Sequence, residues 1–121
     1  MVARLGMDGE PVAGFGAGGI VTIDAGGTEG ARAVAVAADG SILVAGTTVD
    51  TALAQDIVVA ALAADGALDV RFGDRGLARF DVQAGSVDEV RDMQLDGVGG
   101  LIMTGWAVIG GLDRPYLLRV H

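Results

Sequence analysis

The feature that most constrains this chain is an internal repeat. The stretch Val59-Ala60-Ala61-Leu62-Ala63-Ala64-Asp65-Gly66, ending in Phe72-Gly73, restates Val2-Ala3-Arg4-Leu5-Gly6-Met7-Asp8-Gly9, ending in Phe15-Gly16, 57 positions further on. The match continues through Gly19-Ile20 and Gly76-Leu77 to Ile23-Asp24 and Phe80-Asp81. The offset then becomes 59, with Arg32 answering Arg91, Val34 answering Met93, Val36 answering Leu95 and Gly46 answering Gly105. Two residues are therefore inserted between Asp81 and Arg91, as a surface loop tolerates. Leu118-Arg119-Val120 restarts the cycle at Ala3-Arg4-Leu5. A period of this size belongs to arrays whose units bury their apolar faces only against a neighbour.

Within a unit the periodicity is that of strands. Ile20-Val21-Thr22-Ile23 is β-branched, Val34 and Val36 alternate with alanines, and Ile42-Leu43-Val44 follows Asp39-Gly40, a hairpin signal. The apolar run from Ile57 to Leu62 is short and flanked by Asp56 and Asp65-Gly66, which favours a strand over a helix. The expectation is all-β: two tandem four-stranded antiparallel blade-like sheets of β-propeller type, a partial propeller, in one repeat domain over 1–121. Residues 2–5 form an orphan strand of a preceding unit, 19–63 the first blade and 76–120 the second. In the second unit Asp96-Gly97-Val98-Gly99-Gly100 calls for a wider loop or a bulge.

Composition narrows the chemistry. With 21 glycines and two prolines the chain suits many tight turns, and its net charge of −8, with no clustering of its arginines, argues against nucleic acid. Cysteine is absent, which excludes disulfides and thiolate metal sites. The longest apolar run, Ile57 to Ala64, is far short of the roughly 20 residues of a membrane helix. Gly14-Phe15-Gly16-Ala17-Gly18-Gly19 satisfies a dinucleotide-loop pattern, but a strand follows it where a helix is required, so it reads as a structural turn. No nucleophile elbow surrounds Ser41 or Ser86, and the single histidine, His121, is a poor acid or base. No cofactor is expected.

Two sets of residues remain as candidates. Asp65, Asp69 and Asp74 recur at loop-like spacing and offer oxygen ligands to Ca²⁺, although turn-forming aspartate explains them as well. Trp106 and Tyr116, with Asp113 and Arg114 in an expected loop over 107–114, offer a stacking platform for a glycan or an anchor for a protein, or else fill the sheet packing. Asp88, Glu89 and Asp92 are expected on a solvated face.

The segment Ala64-Asp65-Gly66-Ala67-Leu68-Asp69-Val70-Arg71-Phe72-Gly73-Asp74-Arg75-Gly76 resembles the signature of the delta-60 repeat, and Ala33 to Gly46 is similar to that repeat's central hairpin. The first unit departs from it, with Pro11-Val12 in place of Leu-Asp. The resemblance implies blades of a propeller-like array in larger bacterial secreted or cell-surface proteins, with binding or scaffolding as the activity and no catalytic residues to carry over. Two blades leave outer sheet faces open, and open apolar faces mark interaction surfaces. The chain is therefore expected to assemble with copies of itself or to be a piece of a longer array. A protein or glycan partner is compatible with this reading, and no membrane insertion is expected. A glycan- or Ca²⁺-binding surface module and a carboxylate-based hydrolase are the alternatives.

Overall fold

The computed structural model describes residues 1–50 and 54–121. No helix forms among them. Nine strands do: β1 (Val2–Ala3), β2 (Ile20–Val21), β3 (Thr28–Val36), β4 (Ile42–Val49), β5 (Gln55–Leu62), β6 (Leu77–Phe80), β7 (Val87–Leu95), β8 (Leu101–Ile109) and β9 (Leu112–Val120). β3, β4, β5 and β6 form an antiparallel meander, as do β7, β8 and β9. One parallel strand pair, Gln55 with Val87, links the two meanders, and β1 pairs only with β2.

This pairing moves the blade boundaries away from those expected. β2 leaves the 19–63 unit for β1, and β6 leaves the 76–120 unit for β5, with Ile57 opposite Phe80 and Ala60 opposite Leu77. The cause lies in the connection after β5. Its Asp-Gly turn brings Leu68 back to Leu62, and its Phe-Gly turn brings Leu77 back to Asp74, so the chain returns antiparallel to the strand it has just left. Only after Phe80 does it cross to the next sheet. The first blade is thus β3 to β6, the second holds β7 to β9, and residues 2–5 find their partner in β2.

The repeat signature is the hinge of this return. Gly16 and Gly73 have φ of 55° and 54°, and a Cβ on either would lie 2.3 and 2.1 Å from the carbonyl oxygens of Ile20 and Leu77. Only glycine fits. The two signatures also touch: the Gly16 N–H donates to the Asp65 carbonyl at 2.7 Å, and the Arg4 guanidinium donates to that of Ala64. The Ala17 and Gly19 N–H groups donate to the Ile20 and Phe15 carbonyls, which folds the glycine-rich loop back on itself.

Each blade buries a face against the next. Ala45, Ile57 and Val59 of the first blade pack with Val90, Met93, Leu101 and Met103 of the second, and Phe72, Phe80 and Tyr116 border this core. A second cluster joins Phe15, Ile42, Val44 and Leu62 to Val2, Val21 and Ile23. Glycine and alanine on strands β4 and β5 let the backbones approach; a Cβ on Gly46 would lie 2.2 Å from the Gly30 carbonyl.

The expected widening at 96–100 does not occur. Both central hairpins close with five residues, since Val36 pairs with Ile42 and Leu95 with Leu101. The irregularity sits instead inside β3 and β7, where Arg32 and Arg91 are the extra residues of matching bulges. Asp96 organises the second hairpin: its Oδ1 accepts from the Val98 and Gly100 N–H groups, and Oδ2 from Arg119. Arg119 first, then these N–H groups, hold the Asp96 carboxyl down at about 2.

Leu62 is fully buried. Leu62→Ala is expected to cost about 2–5 kcal/mol in chemical denaturation, whereas Met7→Ala, at an exposed loop position, leaves the midpoint unchanged.

Candidate functional site

The expected 107–114 loop is mostly strand. β8 and β9 meet in a two-residue turn, Gly110-Gly111, with φ of 61° and 76°. Two consecutive positive φ values are what a tight hairpin matching strand twist requires. Trp106 stands opposite Pro115, and Tyr116 opposite Gly105. Adjacent register positions point to opposite sheet faces, so the two aromatic rings do not form one platform. The same alternation separates Asp113 from Arg114, both exposed at the start of β9.

Tyr116 belongs to the inter-blade core and donates its hydroxyl to the Glu89 carbonyl at 3.1 Å. Burial, and then the charges of Asp88 and Glu89, push it up to about 12. Trp106, half-buried on the outer face of the second blade, carries the Arg91 guanidinium 5.9 Å from its ring centroid, a cation–π distance. Arg91 and Arg32 both reach the Glu89 carboxylate, at 3.1 and 3.6 Å.

Asp65, Asp69 and Asp74 do not converge. Asp65 Oδ1 accepts from the Ala67 N–H, Asp69 takes the N–H and guanidinium of Arg71, and Asp74 pairs with Arg75. The Arg71 guanidinium, with the Arg71 N–H, holds the Asp69 carboxyl at about 2. These are local turn contacts.

Among the described residues one group of three carboxylates does converge: Asp56, Asp81 and Asp88 place oxygens within 4.8 Å of one another. Topology explains it. Extending the β5–β6 register by one residue sets Asp56 beside Asp81, and the crossover to β7 delivers Asp88. Asp88 and Glu89, expected on a solvated face, are both buried. Asp88 accepts the Val82 N–H at 2.7 Å and the Ser86 hydroxyl, while Gln55 Nε2 donates to its carbonyl at 2.9 Å. It thereby ties down the 82–86 segment. Glu29, the second residue of β3 as Asp88 is of β7, does the same work, accepting the Ala25 and Gly27 N–H groups at 3.2 and 2.8 Å.

Burial first, and then the Asp81 charge, raise the Asp56 carboxyl above its ordinary value, against the pull of Arg79. Arg79 itself donates to the Ala25 carbonyl. Three carboxylates with no histidine or thiolate form the donor set of a hard cation such as Ca²⁺. The sequence carried a faint signal for this group, an aspartate at the outer end of each of two apolar strands. The misplaced blade boundary assigned those strands to different sheets.

A family model described as a domain of unknown function (DUF5122) beta-propeller matches residues 37–72. That span runs from the end of β3 through β4 and β5 to the Phe of Phe-Gly, and it supports a propeller-like repeat family. Neither the curated proteins nor the solved structures contain a match.

Asp88→Ala leaves the Val82 N–H without its acceptor and is expected to cost on the order of 1–3 kcal/mol by urea denaturation. Asp56 behaves oppositely. Its folded-state value lies above the unfolded 3.8, so the native state holds that proton more tightly, and this residue's contribution to stability falls as pH rises through the window above 3.8. Asp56→Asn is therefore expected to raise the melting temperature at pH 7 and to remove that part of the pH dependence.

Proposed function

We propose that the chain is a non-enzymatic structural or interaction module of delta-60 type, whose blades associate with further repeat units or with copies of the same chain. The observation that carries this reading is β9. It pairs with β8 along one edge, and among the described residues nothing pairs with its other edge. An open edge strand of nine residues is a template for another strand. Leu112 and Leu117 on it are exposed, as are Val34 and Val36 on β3.

The match to a beta-propeller domain supports the reading from a second side, since propeller blades work by stacking. So does the use of the charged side chains. Asp65, Asp69 and Asp96 hold turns, Glu29 and Asp88 hold crossovers, and Glu89 joins two arginines. Their geometry serves the scaffold.

Light scattering coupled to gel filtration, over a concentration series, is expected to show reversible self-association of the 121-residue chain. A single non-aggregating monomer at the highest concentrations overturns the self-association reading.

A further inference from the structure

The repeat supplies an internal control for its own exposed surfaces. Met93 and Val34 occupy equivalent places on β7 and β3, yet Met93 is 6 % exposed and Val34 59 %. Leu95 is packed against the inter-blade core, whereas its counterpart Val36 is 63 % exposed. On the outer strands the contrast reverses: Val59 of β5 is fully buried, and Leu117 of β9, at the matching place, is 69 % exposed. The difference in each pair is a neighbouring blade. Val59 and Met93 are covered because the face that carries one packs on the face that carries the other.

We infer that two copies of this chain join head to tail, the Leu117 face and open β9 edge of one seating on the Val34 face of the next. This rests on the self-association reading above and names its surfaces. The Val34 face is open only beyond the N-terminal segment, which covers Ile42 and Val44 beside it. The exposed parts of the two faces are counterparts of the surfaces that already meet inside the chain, so one relation between blades serves both junctions. Such an interface is heterologous: it uses different patches on the two partners and propagates to a ring or a filament.

Charge agrees with the arrangement. At the internal junction Asp56 faces Asp81 and Asp88, three like charges. The residue of β9 that matches Asp56 is Arg114, since Asp56 pairs with Thr48 and Arg114 with Ala107 at equivalent places on β4 and β8. The residues that match Asp81 and Asp88 are Asp24 and Glu29. Between copies, Arg114 therefore meets two carboxylates, and the repulsion of the internal junction becomes attraction.

The same superposition puts Leu117 and Leu118 where Val2 and Ala3 lie on β2. β1 must yield: its ladder on β2 is two residue pairs, Val2 with Val21 and Ala3 with Ile20, and the packing of Val2 and the bonds of Arg4 to Gly19 and Ala64 yield with it. The exchange completes the second blade with the partner's β2, as β6 completes the first.

Two variants test the inference, each with one exposed side chain changed: Leu117→Arg blocks one face and Val34→Arg the other. Each alone is expected to stay monomeric where the unmodified chain associates, and a 1:1 mixture to form a heterodimer of one Leu117→Arg and one Val34→Arg chain. Association of either variant alone at wild-type strength, or a mixture that stays monomeric, overturns the head-to-tail arrangement while leaving self-association standing. A monomeric unmodified chain overturns both. In the otherwise unmodified chain Val2→Gly loosens β1 and is expected to tighten association at least several-fold; association unchanged or weakened overturns the exchange.

Discussion

A four-stranded sheet has two faces and no inside. Everything in this molecule follows from packing such a sheet on a three-stranded one, through Ala45, Ile57 and Val59 on one side and Val90, Met93, Leu101 and Met103 on the other. These side chains are mostly of middling size, so the area that each covers is modest and the fit of the faces matters more. The glycines that let β4 approach β3 and that turn the chain at Phe-Gly serve this fit. Val59 and Met103, both fully buried, would keep only their neighbours within their own sheets without the sheet opposite.

Holding two sheets in register falls to carboxylates. Glu29 and Asp88 each stand at the start of a blade's first strand and accept backbone N–H groups from the segment that crosses over from the preceding sheet. A carboxylate accepting such bonds is a strong, directional tie. The unequal lengths of the two crossovers are absorbed there: the longer one takes the shorter aspartate and recruits the Ser86 hydroxyl in addition. Asp56 sits beside this tie, and burial first, then the Asp81 charge, with Asp88 a smaller contributor, leave it a carboxyl that gives up its proton reluctantly.

Much of the fold was legible because period and turn chemistry are local. The run Ile57 to Leu62, the Asp39-Gly40 hairpin and the strand after the glycine-rich loop lie where their patterns put them. What the sequence concealed was non-local. Whether Leu77–Phe80 joins β5 or β7 depends on how the 63–76 connection folds back. The site readings inherited that ambiguity. Asp56 and Asp81 become neighbours only once β6 lies on β5, and Trp106 and Tyr116 separate only once the Gly110-Gly111 turn fixes their register. Charge runs such as Asp88-Glu89 look solvated in a sequence, since nothing in it shows the backbone groups and the arginine pair that satisfy them inside.

One residue of the open edge bears on how far any growth there extends. Pro115 lies within β9 and has no N–H. A proline is accommodated in an edge strand where its nitrogen faces away from the paired neighbour, so on the free side of β9 the ladder lacks a donor. An added strand can zip along Tyr116 to Val120 and must falter at the proline. The edge thus admits a short, folded companion and resists the long in-register stacking from which fibrils grow.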